Sequence, residues 1–213
     1  MFLKQVYKGE NEFWQYLVTI LFVFVGYFVG QLPITFLTAS AIKQDDVEDD
    51  LLNEFVDTMD FGLLGIDQNL TLFLLLLMFV VAMICLYIGI TRIHKRGFLT
   101  VITARSSFDM SRFIFGFLLW MGMTIAVEAV GYFIEPENYI FQFQPMKFLI
   151  LLVIVVLLMP IQTSFEEIFI RGYIMQGVSL LSKHRWVPLL VSSAIFGLMH
   201  FMNPEVTKFG MTE

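Results

Sequence analysis

Residues 70–90 read LTLFLLLLMFVVAMICLYIGI, a run of 21 residues without a charge. One helix needs about 20 apolar residues to cross the hydrocarbon core of a bilayer, so this stretch decides for a membrane fold. Working outward, residues 13–42 are also uncharged, interrupted by Gly26, Gly30 and Pro33. That run is longer than a straight span requires and predicts tilt or a kink near Pro33. Glu10 and Glu12 ahead of it are foreign to the basic leader of a signal peptide, so it reads as an uncleaved span. Residues 113–134 carry a single acid, Glu128, and residues 148–165 carry none, with Pro160 near the end. A further apolar stretch, 172–181, leads to Lys183, His184 and Arg185, and the last runs from Trp186 to about Asn203. As one helix, Lys147 to Arg185 would extend ~57 Å, nearly twice the ~30 Å core. A break at Pro160 is therefore expected, giving a span and then a separate helix that forms a hairpin with the last one. The expected fold is all-α, a polytopic transmembrane bundle of about five to six membrane helices.

Composition agrees. Of 213 residues 58% are hydrophobic and 15% charged, with 24 Phe and a mean hydropathy of +0.77, against about 45–50% and about 25% in soluble domains. A net charge of −6 argues against a nucleic-acid partner; the lipid bilayer is the partner the composition demands. The single cysteine, Cys85, lies inside an apolar run and reads as a packing residue.

The connecting segments alternate in sign. Residues 41–68 carry nine acids against Lys43, and residues 91–112 carry Arg92, Lys95, Arg96, Arg105 and Arg112 against Asp109. Basic residues set topology. Lys4, Lys8, those five, Lys183 and Arg185 fall on one side, and Lys43, Lys147 and Lys208 on the other. The expectation is a multi-pass integral membrane protein with a cytoplasmic N-terminus, a basic cytoplasmic loop 91–112 and an acidic external loop 41–68. The acidic run lacks a calcium-loop pattern and reads as a solvated loop. Asn69-Leu70-Thr71 matches a glycosylation triplet but lies at the mouth of a span, and Glu128 reads as a structural or snorkelling acid.

Ionisable residues inside a membrane default to functional hypotheses, and here they gather in Ser164-Phe165-Glu166-Glu167-Ile168-Phe169-Ile170-Arg171-Gly172-Tyr173. At ~100° per residue, Arg171 lies ~40° from Glu167 around the axis and ~140° from Glu166. Glu167–Arg171 is the natural ion pair, in the favoured acid-before-base order. Glu166 is left without a counter-charge, the acid suited to take a proton from water. His200 is the one histidine within an apolar segment; His94 and His184 sit among basic residues. Counted from the 183–185 turn, Glu166 lies 17 residues back and His200 15 forward, ~25 Å and ~22 Å along antiparallel helices. Acid and imidazole thus reach one level. Ser193, Phe196, Gly197 and His200 share a stripe whose small residues predict close helix approach. The Phe and Met stripes read as lipid-facing or core packing.

Glu166-Glu167-x-x-x-Arg171 with Tyr173, then Phe196-x-x-x-His200 on the next helix, resembles two motifs of the CPBP intramembrane proteases. These are the CAAX prenyl endopeptidases and their bacterial relatives, the bacteriocin-immunity or Abi proteins. The resemblance covers residues 160–204 and implies a helical membrane fold with an intramembrane site. It implies peptide-bond hydrolysis of a membrane-embedded or membrane-associated protein or peptide. Glu166 and His200 would be catalytic, activating water, with Glu167, Arg171, Tyr173 and Phe196 supporting. It divides the chain into N-terminal transmembrane helices, 1–146, and a partial protease core, 147–213. The family carries a metalloprotease label, so zinc is possible, while the competing account is glutamate-dependent without metal. One intramembrane histidine falls short of the three or four ligands of a zinc site, so no cofactor is assigned.

Members of that family continue through further helices bearing a second histidine and, four residues later, an asparagine or aspartate assigned to the oxyanion site. This chain ends at Glu213, ten residues past Asn203, without that motif. The 213 residues are expected to be a C-terminally truncated fragment, or a shortened member, that is not a competent protease alone. Two other functions compete: a non-catalytic immunity or scaffold protein on the same fold, and a transporter, for which the paired repeats are missing.

Overall fold

The computed structural model describes residues 2–44, 49–182 and 184–201, and within these it is helical with no strand. Asp45, Asp46, Glu48, Lys183, Asn203 and Lys208 lie outside the described residues. Four helices are long and apolar enough to cross a membrane: Phe13–Lys43, Gln68–Ile93, Met110–Ile134 and Pro145–Leu181, with the shorter apolar helix Trp186–Phe201 after them. The chain is a polytopic helical membrane protein.

The bundle is built on two antiparallel helices, α1 (Phe13–Gln44) and α3 (Gln68–Ile88). Along α1 the buried positions are Gln15, Thr19, Val23, Gly26, Gly30 and Ile34, three or four apart and therefore one stripe. Two of its glycines let the backbones meet. A Cβ on Gly26 would strike Cys85, and one on Gly30 would strike the Met78 backbone; reciprocally, one on Gly89 would strike Thr19. Lipid tails are as apolar as leucine, so such small-residue contacts supply association that hydrophobicity cannot. Cys85 is buried in this seam. Pro33 lies inside α1 without ending it.

Between them the acidic segment is more ordered than a solvated loop. Helix α2 (Asp49–Thr58) turns its acids outward and buries Phe55 against Leu64 and Ile66, packed by Leu37 and Ile42 of α1. Asp67 then caps α3, accepting from the N–H groups of Asn69 and Leu70. The Asn69 side chain donates to the Lys147 carbonyl at 2.9 Å, joining the starts of α3 and the next long helix. Helix α4 (Met110–Ile134) buries no residue against the described chain, so lipid is its solvent. Its one acid, Glu128, accepts from the Tyr139 hydroxyl at 3.2 Å.

The expected break at Pro160 does not occur. Helix α5 (Pro145–Glu166) passes through Pro160, continues as a π-helical segment Glu167–Ile174 and ends as α6 (Met175–Leu181). Over 37 residues this is ~55 Å of helix, so its end projects beyond the core instead of the chain breaking to stay inside it. Pro160 removes one N–H but lies among lipid-depth residues where only helical hydrogen bonding satisfies the remaining backbone. Helix α7 (Trp186–Phe201) packs back against α6 and the π segment, completing the hairpin. The close approach predicted at Gly197 is absent: among the described residues nothing lies within 4 Å of a Cβ built there, and Ser192, not Ser193, is the buried serine.

The α1–α3 seam yields a direct test. Gly30→Leu forces α1 away from Met78 and is expected to cost about 1–3 kcal/mol, read as a lower melting temperature of the detergent-solubilised protein. Gly122→Leu on α4, where a side chain meets nothing within 4 Å, is expected to leave it unchanged.

Candidate active site

Glu166 is the last α-helical residue before the π segment, and the widening begins immediately after it. In that segment the Met175 N–H reaches the Ile170 carbonyl, five residues back, the signature of a turn holding one extra residue. Within it Arg171 Nη1 donates to Glu167 Oε1 at 2.8 Å, the pair expected from the spacing, with both side chains about half exposed at 51% and 49%. The Arg171 guanidinium also stands 4.7 Å from the centre of the Phe196 ring on α7.

Glu166 makes no ion pair among the described residues; its nearest polar neighbour is the Gln162 amide, donating at 3.4 Å. It lines a cavity of about 510 Å³ together with His200 and Met199 of α7, Gln162, Phe165 and Phe169 of its own helix, and Val23, Phe24, Tyr27, Met78 and Phe79 of α1 and α3. The acid and imidazole singled out from sequence therefore face one space.

His200 is oriented by its own turn. Its Nδ1 lies 2.9 Å from the Phe196 carbonyl oxygen, and its ring stacks on Phe196 at 4.5 Å. A carbonyl only accepts, so Nδ1 carries the proton and Nε2 keeps its lone pair for the cavity. Phe196 is thus shared between Arg171 and His200. Among the described residues no group of three His, Cys, Asp or Glu could hold a metal ion. One carboxylate and one imidazole do not make the donor set of zinc.

Tyr173 does not reach the cavity. The extra residue in the turn carries it away from Glu166, and it is fully buried, bonded through its hydroxyl to His94 Nε2 at 2.8 Å. His94 is the residue the sequence placed wrongly. It is buried completely, and its Nδ1 donates to the Glu10 carbonyl at 2.8 Å. Beside it Arg96 is only 4% exposed, donating to Gln176 Oε1 at 2.9 Å while its Nε and Nη2 find no partner among the described residues. The basic segment 91–112 is therefore not uniformly solvated. A run of cations reads as surface, and no spacing in the sequence separates Arg96 from its neighbours: Lys95, whose partner Glu10 lies 85 residues away, likewise has no acid at helical spacing.

Comparison with known proteins places the C-terminal third of the chain. Residues 145–212 match the family model described as type II CAAX prenyl endopeptidase Rce1-like. That segment is α5 through α7, the helices bearing both motifs, and the family is a protease family. The chain is also similar to the uncharacterized protein YyaK of Bacillus subtilis (strain 168), 31% identical over 203 residues, 94% of this chain. It spans 65% of that relative's length. No solved structure matches.

Burial pushes the His94 imidazole below its ordinary 6.5, with the nearby Arg96 charge acting the same way and the Glu10 carbonyl and carboxylate opposing. A histidine buried neutral binds fewer protons folded than unfolded. Its contribution to stability is complete above pH ~6.5 and is lost as pH falls below that value. Thermal melts at pH 7.5 and 5.5 are expected to show a drop in the native protein that is smaller in His94→Gln, whose amide cannot take up the proton.

Proposed function

We propose that this protein is an intramembrane endopeptidase of the CAAX protease type, with residues 147–213 as a partial protease core that is not competent alone. Glu166 is the general base and His200 its partner on the attacking water. The observation that supports this reading is the shared cavity, lined by an acid with no ion pair among the described residues and by an imidazole from the facing helix. Glu167, held by Arg171, is the supporting acid. Water held between Glu166 and His200 Nε2 gives its proton to the carboxylate as its oxygen bonds the scissile carbonyl carbon. The negative charge on the carbonyl oxygen requires hydrogen-bond donors; the Gln162 amide and the Tyr27 hydroxyl are the cavity's other polar side chains. Collapse of the tetrahedral intermediate breaks the C–N bond, and the proton passes from Glu166 to the departing amine. The substrate is a membrane-embedded or membrane-associated peptide, since α1 and α3 wall the site with apolar side chains.

Glu166→Gln and His200→Ala, introduced in the full-length gene, are each expected to lower substrate processing by about 10²–10⁴-fold with normal membrane expression. Glu167→Gln is expected to lower it less. Processing retained in both Glu166→Gln and His200→Ala would point to a non-catalytic scaffold on this fold.

The same reading places the N-terminus and residues 91–112 in the cytoplasm, because nine of the twelve topology-setting cations lie on that side. In intact cells an impermeant maleimide is expected to label Asp57→Cys on α2 and to reach Ser107→Cys only after lysis. The reverse pattern would invert the topology.

A further inference from the structure

Outside the cavity the described residues carry a buried polar cluster that hydrolysis does not use. His94, Tyr173, Tyr16, Arg96 and Gln176 meet where the strap after α3 crosses the far end of the π segment. His94 Nδ1 donates to the Glu10 carbonyl, so its Nε2 accepts from the Tyr173 hydroxyl. Tyr16 of α1 stacks on the Tyr173 ring at 5.2 Å. Gly172 lies against the Val101 carbonyl, where a Cβ would collide. One turn further, Gln176 takes a hydrogen bond from Arg96 and donates to the Thr100 carbonyl at 2.8 Å.

A π turn is an unusual backbone state with poorer intrinsic packing than the α-helix on either side, and it persists where outside contacts select it. If the turn between Glu166 and Tyr173 gave up its extra residue, one side would rotate against the other by ~100°. Both sides are anchored. Below the turn, Phe165 meets Phe79 of α3 at 6.0 Å; above it, Tyr173 is held by His94. Between the anchors the rings of Phe165, Phe169 and Tyr173 stack in parallel, 10° apart at each step. The ladder runs from the cavity wall to the imidazole.

We infer that His94 is a positioning residue: through Tyr173 it holds the Glu167–Ile174 turn in its widened register, and so fixes the direction in which Glu166 projects toward His200. Its consequence for catalysis rests on the hydrolase reading; its geometry does not. Without the tether the turn relaxes toward α-helix and the carboxylate swings away from the imidazole, while the apolar walls that bind substrate stay in place.

The test uses the full chain in membranes. Gln162→Cys and Met199→Cys place thiols on opposite walls of the cavity, and Cys85 is buried. A bis-methanethiosulfonate reagent is expected to join the pair. Adding Tyr173→Phe or His94→Ala is expected to lower the yield by about threefold, the population shift that one lost hydrogen bond permits. His94→Gln, whose amide again offers one donor and one acceptor, is expected to restore it. In the full-length gene product without the introduced thiols, Tyr173→Phe is expected to lower kcat by about threefold, the same population shift, with KM nearly unchanged. Tyr173→Phe removes a single hydroxyl, so it reads the effect even where His94→Ala fails to fold. Cross-linking unchanged in Tyr173→Phe overturns the inference. If the thiol pair cross-links as expected while the full-length gene product without those thiols cleaves nothing, the hydrolase reading is overturned and the clamp stands.

Discussion

A carboxylate enclosed by an apolar helical bundle is the constraint on which the rest of this structure depends. Such a group is costly in hydrocarbon and is retained where a cavity or a partner receives it. Glu167 is received by Arg171 and, through it, by the Phe196 face; Glu166 is received by open space. Two adjacent acids thus acquire opposite environments because one turn of helix separates their neighbours. The cavity in turn requires α1 and α3 to close tightly against each other while standing off from α5. Small residues at Gly26, Gly30 and Gly89 provide the first condition, and the large rings of Phe24, Tyr27 and Phe79 around the void provide the second.

Much of this was legible in the sequence. Helix count and span follow from hydropathy because the bilayer imposes one length scale on every crossing. The Glu167–Arg171 pair follows from spacing, since four residues place side chains together on a helix and remain close in a slightly wider turn. Equal depth of Glu166 and His200 follows from counting outward from one turn, which needs no knowledge of how the hairpin sits in the membrane.

The errors have a common origin in treating local chemistry as decisive. Pro160 was taken as a breaker, yet at lipid depth no water rewards an opened helix, so the chain continued through it. His94 and Arg96 stand in a basic run, which gives no sign of their burial. Their burial is decided by the N-terminal segment, whose Glu10 carbonyl lies 84 positions from the His94 ring in the chain. Gly197 was given a packing role that the described residues do not show, because a small residue permits close approach without requiring it. The π turn left no trace in the apolar pattern, since adding one residue to a turn changes direction and leaves composition alone.

The two π-helical turns among the described residues meet each other. Gly89–Ile93 ends α3 as a π turn, and the His94 N–H caps it by reaching the Gly89 carbonyl; Glu167–Ile174 is the other. The hydrogen bond between His94 and Tyr173 joins the residue that closes the first to a residue inside the second. A widened turn changes the direction of every side chain beyond it, so two of them on neighbouring helices would leave relative orientation loose if each were free. Tied together, each limits the other, and the fully buried ring pair excludes the water that would compete for the bond. Irregular backbone here has a definite place: beside the end of α3, beginning at the residue that follows the acid whose direction it sets.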